Sequence, residues 1–548
     1  ILNWISTTVR YGANYGWMQA PPAYGTLGNT IQNSREITVN SQFNMVSLYN
    51  KIPLLKRINS GTTKKKNAKS SKPAEEGSAA TSKSKNERQT VGTGLLRGIM
   101  MLRNVSVNYT ERNGIMLPGF NHTIDYFGQN FTHNVPGLGF ILGSQNDQIR
   151  YNLARNGSLT NDPRLMNFYT ETSSRIITGN ATIEPFKDFR VQMNFNLSRA
   201  SNLQSLFKYD TTDGYNNWRD LSLRETGTFS TTGIFLRTAF ENVSADNGWV
   251  SESYNNFENA RFVISQRQAA GDGRVLNKGI DPVNKKFYYG YGAKAQNTLI
   301  PAFLSAYTGV NQSRVSLSPF RNIPLPNWNL NYNGLSKIKK LSKIFTNITI
   351  QHRYTGTYMI GGYTSNLFYS EDSTASAGRD LVSRYNINNV SIREQFNPLI
   401  GVDITTKSGI TGGVKINRTR NVTLFVPNAN LTEQTSKDFS FNFGYRTSGV
   451  KLPVKFNGKK VILNNDLLID MVVSIANNYT IVRMVDQNTN TVQAGQRVVS
   501  IRPNINYMIN SNINLSIFYD RRASKPHASN AFPTALTTFG IKLRYTIQ

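Results

Sequence analysis

Phe439-Ser440-Phe441-Asn442-Phe443-Gly444-Tyr445-Arg446 sets an aromatic ring at every second position and a small or polar residue between. A period of two marks a β-strand, because successive side chains leave opposite faces of the pleat. The alternation recurs along the chain. Val9, Tyr11, Ala13, Tyr15 and Trp17 point one way; Thr8, Arg10, Gly12, Asn14 and Gly16 point the other. Ile37, Val39, Phe43, Met45 and Tyr49 are set against Glu36, Thr38, Asn40, Gln42 and Asn44. Phe189 to Leu197, Ile348 to Tyr358 and Phe539 to Ile547 repeat the pattern. Roughly 14 to 16 such segments, divided mostly by Asn, Gly, Asp and Pro clusters, predict an all-β, antiparallel chain.

Two architectures accept these strands. A soluble sandwich or barrel would turn the apolar face inward and the polar face to water. A transmembrane barrel would turn the apolar face to lipid and the polar face to a wet interior. Soluble strands cluster near ~5–6 residues, whereas a tilted membrane strand needs ~9–11. Several segments here reach ten or more, which favours the barrel. Aromatics near segment ends (Tyr15 with Trp17, Tyr49, Tyr358, Tyr445, Tyr545) suit interfacial girdles. No run of 18 apolar residues exists, so a helical span is excluded.

Composition agrees. Lys and Arg number 62 against 32 Asp and Glu, a net charge of +30, yet charged residues are only 17% of the 548. Soluble proteins carry roughly 25%; uncharged polar residues, Asn above all, take up the difference. With 11% aromatics the chain is not wholly disordered. Most of the basic residues are spread thinly rather than clustered, which argues against a nucleic-acid-binding protein.

Three stretches break the pattern. Residues 59–92, with Lys64-Lys65-Lys66 and almost nothing apolar, read as a disordered basic loop and solvated tether. Asn255 to Ala270 places Phe257, Ala260 and Val263–Ile264 at helical spacing and predicts a short helix in a long loop or lumenal insert. Leu299 to Leu335, with Pro301, Pro319, Pro324 and Pro326, reads as ordered but irregular chain. The expected organisation is barrel strands at 1–58, the loop at 59–92, strands and loops at 93–239, the insert at 240–335 and C-terminal strands at 336–548. Tyr49 to Ile58 and Leu335 to Ile344 resemble each other as short basic amphipathic turns at the membrane surface.

Catalytic signals are missing. Cys is absent, so no disulfide or Cys-based metal site exists. The four histidines, His122, His133, His352 and His527, make no His-x-x-x-His pair. Gly137-Leu-Gly-Phe-Ile-Leu-Gly143 lacks the spacing and the βαβ context of a dinucleotide site and reads as loop glycines. No phosphate loop or nucleophile elbow occurs. The expectation is no catalytic, cofactor or metal site.

Several stretches resemble the C-terminal part of the SprA/Sov family, giant outer-membrane proteins of type IX secretion and gliding motility in Bacteroidetes. They include Val9-Arg-Tyr-Gly-Ala-Asn-Tyr-Gly-Trp, Leu27-Gly-Asn-Thr-Ile-Gln-Asn-Ser-Arg, Leu48-Tyr-Asn-Lys-Ile-Pro and Arg103-Asn-Val-Ser-Val-Asn-Tyr-Thr-Glu. Leu299-Ile-Pro-Ala-Phe-Leu-Ser-Ala-Tyr-Thr-Gly and Ile323-Pro-Leu-Pro-Asn-Trp follow in order. The most specific are Glu394-Gln-Phe-Asn-Pro-Leu-Ile-Gly-Val-Asp, Asn430-Leu-Thr-Glu and Phe443-Gly-Tyr-Arg. The resemblance implies a segment of a very large outer-membrane barrel that passes cargo proteins with a C-terminal signal domain. Its implied partners are the rest of its own polypeptide upstream of Ile1, a PorV-like small barrel, a periplasmic plug protein, the cargo, and outer-membrane lipid or lipopolysaccharide. The start at Ile1, without Met or a leader pattern, fits a piece of a longer chain. On the polar phase of the strands, Arg10, Asn14, Arg190, Asn194, Arg353, Asn442, Arg446, Lys542 and Arg544 are the expected pore-lining residues. The alternative is a stand-alone porin or gated solute receptor.

Overall fold

The structure, a computed structural model, describes residues 3–53, 55, 56, 98 and 100–546, apart from 457, 458, 488, 511, 529 and 530. The first strands are β1 (Ile5–Met18), β2 (Asn29–Asn44), β3 (Leu102–Phe120), β4 (Tyr169–Phe186), β5 (Phe189–Asp210), β6 (Asn217–Thr232) and β7 (Asn327–Tyr332). They continue with β8 (Phe345–Ser365), β9 (Tyr385–Thr406), β10 (Ile410–Phe425) and β11 (Asn430–Thr447). After the hairpin β12 (Val450–Phe456) and β13 (Lys459–Leu463) come β14 (Leu467–Met484), β15 (Thr489–Met508), β16 (Ile513–Pro526) and β17 (Thr534–Tyr545). Fifteen of them make one sheet in chain order, and only the β12–β13 hairpin stands apart. Every pairing is antiparallel, as expected where turns join neighbouring strands.

β6 and β7 are two halves of one strand position. β6 pairs with Leu197–Asp210 of β5, and β7 continues the line along Phe189–Asn194. Both also pair with β8. Residues 233–326 therefore leave the sheet in mid-strand. Gly356 permits this: a Cβ there would lie 2.1 Å from the Gly233 carbonyl oxygen.

Residues directly opposite in a ladder share a face, so the registers trace two faces across the sheet. One row runs Val9, Val39, Tyr109, Ile177, Leu197; the adjacent row runs Arg10, Thr38, Thr110, Ile176, Ser198. Farther on, Val414, Phe441, Val473 and Ile501 are in register on the apolar face. Many of its side chains stay exposed, among them Val9, Ile400, Ile416, Phe439, Ile501 and Ile541. The apolar phase lasts nine residues on β5 (Phe189 to Leu197) and on β14 (Leu467 to Ile475). That is about 27 Å along a strand, or about 21 Å along the normal at ~40° tilt, close to the ~25 Å apolar band of membrane barrels. The band ends at a line of charge on the same face: Glu111, Arg175 and Arg199 at one side, Arg418, Lys437, Arg497 and Lys525 at the other. The chain is an all-β, antiparallel transmembrane β-barrel segment. None of its helices is long and apolar enough to cross a membrane, among the described residues.

Past the charged line the strands continue, and here protein covers the apolar face. The 233–326 insert contains two main helices, α1 (Glu252–Gly271) and α2 (Gln296–Thr308). Ser251 caps α1 by accepting from the Tyr254 amide at 3.1 Å, and Tyr254, Phe257, Ala260, Arg261 and Ile264 form its buried stripe. α2 is buried from Thr298 to Tyr307 and ends at Gly309, whose φ of 69° suits glycine. Together they pack on Leu197, Phe229, Tyr358, Ile360, Val390, Ile392, Val422, Leu424 and Leu431. The connection 121–168 covers Ile31, Ile115, Leu117 and Tyr169 in the same way.

Several expectations change. The insert packs on the apolar face, so it is not lumenal. The helix expected at 255–270 runs from 252 to 271, and 296–308 is helical rather than irregular because burial offsets the bond lost at Pro301. Met45 and Tyr49 belong to a helix, Met45–Lys51, not to β2. Tyr15, Trp17 and Tyr358 are not girdle residues: they pack under the connection and the insert. Tyr445 and Tyr545 do lie at the far margin of the band, beside the strand ends. The whole of the basic stretch 59–92 lies outside the described residues.

Arginine placed in the band should be costly and arginine on the opposite face should not. Met193→Arg and Phe441→Arg are expected to destabilise the sheet by about 2–4 kcal/mol near mid-bilayer, and Asn194→Arg and Asn442→Arg to fold as wild type. Urea titration in lipid vesicles reads the difference; equal losses on both faces would contradict the band.

Candidate functional site

The polar face is the surface that can do something other than meet lipid. All nine expected lining residues fall on it. Arg10 and Asn14 sit on β1, Arg190 and Asn194 on β5, Arg353 on β8, Asn442 and Arg446 on β11, Lys542 and Arg544 on β17, and all nine are exposed. They do not converge on a point. Arg446, Leu468, Asn506, Ser516 and Lys542 form one row across five strands, while Arg10 lies at the other edge of the sheet. The arrangement is a wall, not a catalytic pocket.

Its texture is uniform. A groove of about 680 Å³ over β9, β10, β11 and β14 is lined by Asn389, Ser391, Arg393, Asn421, Gln434 and Asn478 among others. A second, of about 550 Å³, lies over Asn14, Ser34, Glu36, Arg112, Thr172 and Ser174. Charges on this face are partly neutralised locally: Arg112 donates to Glu36 at 3.1 Å, Arg190 to Glu184 at 3.2 Å, and Lys415 meets Asp403 at 3.3 Å. The strand residues in the buried clusters of the insert and of 121–168 come from the apolar face. Among the described residues the polar wall is left open.

What holds the insert off the wall is a buried chain of charge. Glu394 on β9, Arg420 on β10, Glu433 on β11 and Arg483 on β14 are each at most 2% exposed. Arg420 donates to Glu433 at 3.0 Å and lies 3.7 Å from Glu394; Arg483 donates to Glu433 at 3.4 Å. The insert supplies further acceptors, beside Asn490 of β15, which accepts from Arg483. Arg420 donates to the Thr238 carbonyl at 2.5 Å and Arg483 to the Trp249 carbonyl at 2.8 Å, and Glu241 approaches Arg420 at 4.0 Å. From α1, Arg261 donates to Asp486 in the β14–β15 turn at 2.7 Å. Sequence reading missed this network. Its signal was present: Arg420 and Arg483 occupy the phase that is apolar elsewhere. Glu394 and Glu433 each belong to a family-like stretch quoted above.

Beyond the network the insert closes on Ala269, Val275, Tyr291 and Leu381. Asp272 accepts from Arg274 at 2.7 Å and from the Tyr291 hydroxyl at 2.5 Å. Burial favours its neutral form, but the bonds from Arg274 and Tyr291 outweigh that and hold its carboxyl down, to about 2. His122 and His133 stack with ring centroids 4.2 Å apart in the 121–168 connection. No group of three His, Asp or Glu that could hold a metal occurs among the described residues.

No protein-family model and no curated protein matches the chain. Among solved structures it is similar to the RagAB peptide transporter, at 7% identity and a TM-score of 0.26, over 96% of this chain and 49% of that one. It is also similar to the siderophore receptor PiuA from Acinetobacter baumannii, at 7% identity and a TM-score of 0.22, over 96% and 60%. The chain thus spans about half the length of the first. Overlaps this weak say nothing about what this chain carries.

Two outcomes test the docking. Glu433→Gln leaves Arg420 and Arg483 buried without their shared carboxylate and should cost about 3–5 kcal/mol, read as protease cleavage within 233–326 while the sheet stays intact. Acidification tests Asp272. A depressed carboxyl stabilises above its unfolded value of ~3.9 and loses that stability as pH falls toward its folded value. Amides of 272–292 should therefore exchange faster between about pH 4 and pH 2, and Asp272→Asn should remove that step.

Proposed function

We propose that this chain is part of the wall of a bacterial outer-membrane protein-conducting channel, a type IX secretion translocon of the SprA/Sov kind that also supports gliding motility. The observation that carries the reading is the polar wall, open among the described residues: fourteen strand positions wide, lined with Asn, Ser, Thr and scattered Arg and Lys, with the 233–326 insert docked on the opposite face. Conduction needs a surface that binds weakly enough to release. Hydrated amides and hydroxyls do this for an unfolded or folded polypeptide, because they offer no apolar patch on which it would stall.

β1 and β17 have free outer edges among the described residues. In lipid each unpaired backbone group costs several kcal/mol, so further strands must meet them. The proposed source is the remainder of the same polypeptide, upstream of Ile1, with a PorV-like small barrel and a periplasmic plug protein as associated subunits. No nucleic acid, cofactor or chemical step enters this reading. The alternative is a stand-alone porin or a gated solute receptor.

Photocrosslinking in cells tests it. A crosslinker at Asn194 or Asn442 should trap a secreted protein bearing a C-terminal signal domain, and removing that domain should abolish the adduct. The same crosslinker at Met193 or Phe441 should trap only lipid. Small-solute uptake with no protein adduct at any position would replace the translocon with the solute channel.

A further inference from the structure

The two ends of the sheet differ in charge. At one end lie the connections 187–188, 333–344 and 407–409, with the described residues of 45–101, 448–466 and 509–512. These described residues hold 12 Lys and no Arg against 2 Asp and Glu. The remaining connections, with the insert that packs beside them, hold 15 against 14. Among the described residues, the net charge outside the large sheet is therefore almost wholly at one end. That end is also where the exposed apolar band stops, at Tyr445 on β11 and Tyr545 on β17.

The lysines there are interleaved with exposed apolar side chains. Lys337, Lys339, Lys340 and Lys343 are exposed, and so are Ile338 and Ile344 between and beside them. Lys51 stands beside Ile52, and Lys407 is exposed in the β9–β10 turn. Lys337 pairs with Asp188; Lys339, Lys340, Lys343 and Lys407 make no ion pair among the described residues. Ammonium groups without acidic partners, next to isoleucines left in the open, form a surface suited to a phosphate layer above acyl chains. An acidic protein would neutralise the lysines but would give Ile338 and Ile344 no apolar medium.

We propose that this end is a collar for anionic phospholipid, with the lysines on headgroup phosphates and Ile52, Ile338 and Ile344 in the upper acyl region. Phospholipid rather than lipopolysaccharide follows from the turns. The two shortest turns, 187–188 and 407–409, are at this end beside the longer 333–344 and 448–466, and the insert and the 121–168 connection are beyond the other margin of the band. In outer-membrane barrels short turns face the periplasm, where the leaflet is phospholipid. The collar would orient the wall in the membrane whatever passes along its polar face, so it stands or falls separately from the translocon.

A matched pair of variants decides it. The full-length protein, solubilised from nanodiscs containing phosphatidylglycerol and phosphatidylcholine, is analysed for retained lipid by native mass spectrometry. Wild type should retain phosphatidylglycerol in preference, and more weakly at high salt. Lys339→Gln/Lys340→Gln should lower that preference by about tenfold. Lys285→Gln/Lys286→Gln, an equal loss of charge on the insert, should leave it unchanged, with unaltered circular dichroism in both variants. Equal effects of the two pairs, or no effect of either, would overturn the proposal. So would lipid A displacing phosphatidylglycerol in competition.

Discussion

A peptide group in hydrocarbon has no water to bond with, so each backbone N–H and C=O of a spanning strand must find a partner in the next strand. This constraint organises the chain. It explains why the strands follow one another in the sheet in chain order, and why an insertion of 94 residues between β6 and β7 still leaves the two halves in line. With the backbone committed to ladders, only the side chains can tell lipid from water, and they do so by parity.

Parity made the sheet legible from sequence. Phe439 to Arg446 or Phe189 to Leu197 can only be read one way, because a single-residue slip would place Asn194 or Arg446 in lipid. The polar phase that holds the nine expected residues was legible for the same reason. The alternation that hides Phe441 from water delivers Asn442 to it.

Legibility failed where the strands outgrow the membrane. β5 and β9 are each 22 residues long, well beyond a bilayer, and their upper halves keep the period while changing the medium from lipid to protein. Tyr15, Trp17 and Tyr358 look like interfacial aromatics because an apolar position under a helix and one at a headgroup read alike in sequence. The signal that separates them is charge in the apolar phase. Arginine at 420 and 483 is intolerable in hydrocarbon and acceptable beneath the insert only because Glu433, Glu394 and the carbonyls of Thr238 and Trp249 surround it. Such a network adds little net stability over well-packed apolar residues, but it penalises any other seating of the insert. That keeps the insert on one face and the polar wall clear.

The account rests on that wall being wet while its other side is not. Because the chain has no cysteine, single Cys residues introduced from Phe439 to Arg446 can be labelled without background. Spin labels read by oxygen and by a water-soluble nickel chelate should alternate strictly. Positions 440, 442, 444 and 446 should be accessible to the chelate, and 439, 441, 443 and 445 to oxygen. Accessibility that rises and falls smoothly along the strand, or chelate reaching both phases equally, would contradict a barrel wall.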